Sequence, residues 1–384
     1  MISEGMFDPV HYAKVRLPVL QAETLPNWCY TSEAFYRREV ERMFKRNWNF
    51  VGREDELPKP GDYVALDMFG EGVIILRDKS GRLRAFANTC RHRGTKLLQG
   101  RGQCPAIVCP YHSWTFALSG ELVAAAGMER TEGFDKARYG LIPIRLETWE
   151  GFVFLNFDDK ASSLRDYLGN LPDYLASHSL ADMVCVRRRE YDLACNWKIY
   201  LENAMEEYHT PTVHKLSIGA QVMVREDSAG AWNGLYMPTE QTIALLAEDL
   251  GSAFPHIPTL DAKAARGMYF VVIYPMTFFA FTQDCLWWLQ QYPQGAARTK
   301  VVIGSCFPRA TTARPDFAER VEKYYRRWDK SLPEDNSISE LQQAGLSSSF
   351  SKPGRLSFHE PVVHDIANWV LDRVLEEPAT GGAA

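Results

Sequence analysis

Apolar and polar positions change period along the chain, and each change predicts a different kind of element. Residues 1–30 read as irregular, interrupted by prolines at 9, 18 and 26. Thr31-Ser32-Glu33 then supplies a hydroxyl cap and an acid in a first turn. Phe35, Val40, Met43 and Phe44 follow at helical spacing, predicting a helix to about Asn47. From Trp48 the pattern shortens to β-runs: 63–66, 73–76, 83–86, 106–108 and 151–155. Pro60-Gly61-Asp62 and Asp78-Lys79-Ser80-Gly81 are the turns between them. The pattern predicts a small antiparallel β-domain over 48–158.

After Asp158 helical and extended patterns mix. Residues 162–178 carry Leu164, Tyr167, Leu168 and Leu171 on one side, and Val184 to Tyr191 alternates like a strand. Asn196 to His209 is a helix pattern free of Pro and Gly. Residues 271–274, 278–292 and 300–307 read as buried strands. Arg314-Pro315-Asp316 opens a helix to about Lys330, and two further helices are expected near 334–345 and 360–376. The tail from Pro378 to Ala384 is expected to be disordered.

Composition narrows this only slightly. With 384 residues and 46% hydrophobic content the chain suits two globular domains, and a net charge of −5 argues against nucleic acid or an anionic membrane as partner. No run approaches a membrane span, and Met1-Ile2-Ser3-Glu4 lacks the basic, apolar character of a signal sequence. Eight scattered cysteines do not form a disulfide framework, so a reducing cytoplasm is expected.

The chemistry gathers at two places. Cys90-Arg91-His92 and Cys109-Pro110-Tyr111-His112 are two Cys/His pairs, each placed by the strand pattern at a loop expected to tip a hairpin. Two thiolates and two imidazoles suit a tetrahedral zinc, or a two-iron cluster with one iron on sulfur and the other on nitrogen. A single residue between the ligands of the first pair is tight for a zinc knuckle. Cys104, between the loops, has no histidine partner nearby and stays outside the set. Further on, His209 and His214 bracket Pro211, which is expected to end the helix before His214. At helical pitch Glu202, Glu206 and His209 share a face. Buried acids beside a histidine call for a neutralising ion, and two His with one carboxylate is the facial set of non-haem Fe(II).

Together the motifs resemble the catalytic α-subunit of the Rieske non-haem iron oxygenases. The resemblance extends from Trp48-Asn49-Phe50-Val51-Gly52-Arg53 to the last helix, and rests most on Cys90-Arg91-His92-Arg93-Gly94, Cys109-Pro110-Tyr111-His112-Ser113-Trp114 and the stretch from Asn196 to His214. It implies an α+β protein: an N-terminal segment and helix (1–47) packed on the catalytic domain, an antiparallel β Rieske [2Fe-2S] domain (48–158), and a helix-grip, START-like catalytic domain (159–384). It implies that Cys90 and Cys109 hold one cluster iron, and His92 and His112 the other. His209 and His214 would hold a mononuclear iron, with a late acid before Gln343-Ala344-Gly345-Leu346 as third ligand. Asp335 is chosen, with Glu334 as competitor and an acid at a helix N-terminus as the plainer reading.

The resemblance also implies an acid bridging a Rieske histidine of one subunit to an iron histidine of the next, as the carrier of electrons from His112 to His209. Glu206, three residues before His209, is similar to the Glu-bridged branch containing quaternary ammonium oxygenases and N-demethylases; Glu207 is the alternative. Asn203 would orient the iron and Trp114 shield the cluster. Electrons would come from a ferredoxin or NAD(P)H-dependent reductase, because the chain has no Gly-rich nucleotide fingerprint. A head-to-tail homotrimer is expected, with O2 and a small organic molecule as substrates. Candidate pocket walls are Met205, Leu216, Ile218, Met268, Ile273, Phe279, Phe281, Trp287 and Leu289. The absence of a basic residue between Phe278 and Tyr292 favours a neutral or cationic substrate. The expected reaction is monooxygenation of an alkyl carbon with N- or O-dealkylation. Ring dihydroxylation of an arene is the alternative, and a pure electron carrier or non-catalytic Rieske protein a minor one.

Overall fold

Asn49–Arg53 and Phe152–Asn156 are buried along their whole length and pair antiparallel. Strands covered on both faces read as continuous rather than alternating apolar runs, as 151–155 does. This pair opens a seven-stranded sheet that continues through Pro143–Trp149, Leu83–Ala87, Glu71–Arg77, Asp62–Met68 and Arg101–Gln103. A smaller sheet joins Ile107–Val108, Thr115–Phe116 and Leu122–Ala124. These strands lie within one compact unit, Lys45–Leu164. The computed structural model describes residues 5–375, so the expected disordered tail lies outside the described residues.

The other unit joins the chain up to Phe44 with the chain from Arg165 onward. Its sheet has the order Met183–Leu193, Arg298–Pro308, Leu286–Gly295, Thr277–Phe281, Gly267–Ile273, Trp232–Pro238 and Val224–Glu226, all pairs antiparallel. Three helices of this unit matter to the site: Trp197–Ala204, the long Phe317–Leu346 and Pro361–Leu375. The first is anchored by a fully buried ion pair, Lys198 Nζ to Glu39 Oε1 at 2.6 Å, with Trp197 Nε1 donating to the other carboxylate oxygen at 3.1 Å. Asn196 caps the same helix through the Lys198 amide. No helix among the described residues is long and apolar enough to cross a membrane.

Several elements depart from the sequence pattern. The N-terminal helix is Glu33–Arg42, capped by Ser32, and gives way to a 3-10 turn at Phe44–Arg46. Residues read as irregular include short helical turns at Pro9–Tyr12 and Trp28–Thr31. The 162–178 pattern breaks into Leu164–Leu168, Leu171–Tyr174 and a 3-10 turn, with Gly169 at a φ of +58° between the first two. The two late helices expected on either side of Pro333 are one helix of 30 residues with Pro333 inside it. A proline in a helix interior costs about 3 kcal/mol. Here Trp328 and Leu332 before it, and Ser339 and Gln343 after it, are all buried, so packing of both halves offsets that cost.

Candidate metal centres

The two Cys/His loops are built alike. In the first, the Cys90 amide donates to the Thr95 carbonyl at 2.8 Å and the Gly94 amide to the Cys90 carbonyl at 3.0 Å. In the second, the Cys109 amide donates to Trp114 at 2.8 Å and the Ser113 amide to Cys109 at 3.0 Å. Both turns need a positive φ at the fourth residue after the start of the motif, +77° at Gly94 and +58° at Ser113. Glycine accepts that conformation freely, while the serine is held there by the turn. Only the second loop tips a hairpin, between Ile107–Val108 and Thr115–Phe116. The first connects Leu83–Ala87 to Arg101–Gln103, which are not paired with each other, contrary to the expectation of two hairpin tips.

The cysteines are buried and the histidines lie toward the surface. Burial pushes the Cys90 thiol up. Burial acts on Cys109 in the same sense, yet the amides of Tyr111 and His112 and the Cys90 thiol hold it below its usual value. Both sulfurs thus face backbone N–H groups able to stabilise thiolate. The His92 and His112 rings are 4.8 Å apart between centroids, and His92 stacks on buried Trp114 at 4.9 Å. Among the described residues, the only group of three or more His, Cys, Asp or Glu side chains closing on a single-ion volume lies elsewhere. Two neighbouring buried thiols with two imidazoles on their outer side form a donor set that fits a two-iron cluster with one iron on sulfur and the other on nitrogen.

That single-ion group is His209, His214 and Asp335, with ligand atoms within 4.8 Å of one another. Asp335 Oδ1 stands 3.0 Å from His214 Nε2 and 3.6 Å from His209 Nε2. It is buried and satisfies no hydrogen bond. An orphaned carboxylate oxygen facing two imidazole nitrogens is the donor arrangement a divalent cation completes. Burial lowers the basicity of His214, but Asp335 and Glu334 outweigh it and hold its pKa up.

The chain does not reach these histidines along one helix. The helix ends at Ala204, so Glu202, Glu206 and His209 do not share a helical face as expected. Glu206 folds back instead: Oε2 accepts the His209 amide at 3.0 Å and Oε1 lies 2.6 Å from His209 Nδ1. Glu202 turns away to Tyr30 Oη at 2.9 Å, and burial raises its pKa to about 8. Glu207 is taken by His359 Nδ1 at 2.8 Å. Pro211 sits in the first turn of a short helix, Thr210–Val213, and starts it rather than breaking one; His214 follows directly as its C-cap. Asp335 lies mid-helix, which removes its reading as a helix N-terminal acid.

A cavity of about 630 Å3, its mouth included, opens beside the three residues and is also lined by Asn203 and Glu206. Its far wall comes from the sheet: Phe270, Phe278, Trp287, Leu289 and Ile303. Phe278, Leu289 and Ile303 are direct partners across three neighbouring strands. Of the expected walls, Ile218, Trp287 and Leu289 line it. Phe279 and Phe281 fall on the opposite face of their strand, because a strand alternates its side chains. Met205, Met268 and Ile273 are buried away from it, and Leu216 is 81% exposed. Arg327 and Ser331, on the long helix, also line the cavity, and the apolar pattern of the strands gives no sign of them.

Two family models match the chain: a Rieske [2Fe-2S] domain over residues 47–138, and the catalytic domain of a ring-hydroxylating alpha subunit over 180–376. The carnitine monooxygenase oxygenase subunit of Escherichia coli (strain K12) is 36% identical over 341 residues, 85% of each chain. That of Acinetobacter baumannii is 37% identical over 196 residues; there the chain spans about half (53%) of the relative's length. The crystal structure of the quaternary ammonium Rieske monooxygenase CntA in complex with L-carnitine superposes with a TM-score of 0.76 at 27% identity, covering 92% of this chain and 96% of that one.

Proposed function

The chain belongs to the Rieske-type ring-hydroxylating alpha subunits, and on that premise we propose that it is the terminal oxygenase of a multicomponent monooxygenase that hydroxylates an N-methyl carbon of a small quaternary ammonium compound. The family's cofactors are a Rieske [2Fe-2S] cluster and a mononuclear non-haem iron. We assign Cys90 and Cys109 to one cluster iron and His92 and His112 to the other. His209, His214 and Asp335 receive the mononuclear iron. When bound, that iron supplies the activation of dioxygen.

The observation that carries this reading is the cavity, where the His209, His214 and Asp335 set faces an aromatic wall of Phe270, Phe278 and Trp287. Aromatic faces attract a quaternary ammonium group and exclude water around it. Glu206 holds His209 from the side opposite Asp335, and we assign it the bridge through which the electron arrives. In the balanced reaction a quaternary N-methyl group, dioxygen, two electrons and two protons give an N-hydroxymethyl group and water. The adduct then loses a proton and formaldehyde to leave the tertiary amine. The electrons come from a separate ferredoxin or NAD(P)H-dependent reductase. We take the assembly to be a homotrimer, consistent with exposed Tyr208 and Phe358 near the Glu206 turn, and the compartment to be the cytoplasm, consistent with eight free cysteines.

The test supplies reductase, ferredoxin and NADH with N-methyl, N-alkoxyalkyl and quaternary ammonium compounds beside plain arenes. Formaldehyde should appear in step with NADH loss. Stable cis-diols from arenes, with no aldehyde from any alkyl substrate, would replace this reading with ring dihydroxylation.

A further inference from the structure

One charged group in the cavity is unused by the reaction described above. Arg327 is 5% exposed and lies on the long helix, on the stripe formed with Ser331 and Asp335 at successive turns. Its Nε donates to the Ile243 carbonyl at 2.9 Å, its Nη1 donates to Ser331 Oγ at 3.1 Å, and its Cζ sits 5.1 Å from the Trp287 ring centroid. These contacts fix the plane of the guanidinium and use two of its five N–H donors. No carboxylate lies within ion-pair distance of it among the described residues. Desolvation lowers its pKa only to about 10, so it is charged at neutral pH.

A buried guanidinium without an acidic partner is unfavourable until an anion meets it. Asp335 and Glu334 are the acids whose charge reaches it, but neither forms an ion pair with it: both are set against His214, and Asp335 cannot serve if it is a metal ligand. We propose that Arg327 is the carboxylate-recognising residue of this cavity, so that the substrate is a zwitterion with its N-methyl ammonium toward the metal set and its carboxylate on Arg327. This rests on the reading of the cavity as the substrate site and deepens it by naming the second charged group of the substrate. The guanidinium reaches Ser331, and Asp335 lies one further turn along the same helix, roughly 6 Å of axial rise. A small molecule with the two charges a few bonds apart spans that interval. Arg pairs with a carboxylate through parallel N–H donors, which adds orientation as well as affinity.

The experiment uses the holoenzyme with two trimethylammonium substrates of equal length, one ending in a carboxylate and the other in a primary alcohol. Wild type should prefer the carboxylate by about 50-fold in kcat/KM, the scale of hydrogen bonds to a charged group. In Arg327→Gln that ratio should fall to about one, with the loss carried by KM for the carboxylate rather than by kcat. Arg327→Lys, which keeps the charge without the fork, should give an intermediate ratio and stands in if the glutamine variant fails to fold. Iron content and the visible cluster spectrum certify each variant. A wild type without preference, or a ratio unchanged by either substitution, overturns the proposal. If neither substrate is turned over, the functional reading has failed, and calorimetry with butyrate then decides for Arg327 on its own. Binding by wild type that Arg327→Lys weakens and Arg327→Gln abolishes supports the carboxylate site, and equal binding by all three removes it.

Discussion

Glu334 Oε2 lies 2.7 Å from Nδ1 of His214, on the side of the ring opposite the nitrogen that faces Asp335. The same oxygen accepts the Ser217 hydroxyl at 2.6 Å. Two acids adjacent in sequence therefore address the two nitrogens of one imidazole. A neutral imidazole whose Nδ1–H meets the Glu334 carboxylate has its Nε2 lone pair directed at the space Asp335 also faces. This geometry supports our assignment of Asp335 as the ligand and of Glu334 as the residue that would orient His214.

Glu334→Gln should accordingly keep all three residues of the metal set but loosen their hold. Outer partners of this kind are worth roughly 10- to 100-fold in metal affinity or activity. Iron retained after dialysis against a graded chelator measures it, with cluster absorbance as the internal control. Retention equal to wild type would mean that Glu334 merely satisfies Ser217.

The two centres should be separable by metal analysis. Wild type should carry about three irons per chain with two acid-labile sulfides. Cys90→Ser or His112→Ala should bleach the visible spectrum. His209→Ala, His214→Ala or Asp335→Ala should leave that spectrum intact, bring iron to about two per chain and lower turnover at least ~10³-fold. Loss of cluster colour in the second group would place those residues in one shared centre.

Glu206→Gln should retain both metals and nearly stop turnover. The side chain keeps its size and its contact with the His209 amide but loses the charge that pairs with Nδ1. Rapid-mixing absorbance would show a cluster that is reduced normally and reoxidises far more slowly. Retention of most of the activity would transfer the bridging role away from this residue.

The helix carrying Asn203 has its own test. Lys198 and Glu39 are both fully buried, and removing one partner leaves an unpaired charge in the core. Lys198→Met should destabilise the fold by about 3–5 kcal/mol, while the double change with Glu39→Leu should recover most of it. Chemical denaturation of the four proteins of the cycle reads the coupling directly. A double variant no more stable than Lys198→Met would show that Glu39 acts on the helix through Trp197 rather than through the ion pair.

How far the sequence reaches can be judged from particular residues. The two Cys/His loops are legible because each is a local turn whose cysteine and histidine lie within four residues. The strands around them follow from short apolar runs bounded by turn residues such as Pro60-Gly61-Asp62. Three features escape local pattern. The stop at Ala204 carries no Pro or Gly signal, since it is imposed by Glu206 folding back on His209. Pro333 reads as a break, yet burial on both sides of it holds one helix. The cavity wall depends on strand parity, and a run of aromatic residues such as 278–281 does not reveal which members face inward until register is known. Arg327 was hidden for the same reason: its partner surface is built by strands far away in sequence.

His214 and the pair Glu334–Asp335 lie about 120 residues apart in the chain. An ion gripped by His214 and Asp335 fastens two ends of a long loop, as a covalent cross-link would. Closing a loop of that length costs about 4 kcal/mol of chain entropy, and the ion contributes that closure only while it is bound. On this assignment the redox metal would also be a clasp. The melting temperature of this unit should climb with free Fe(II), and should stop responding in His214→Ala. A cell short of iron would hold this protein not only idle but slackened, and more open to proteases.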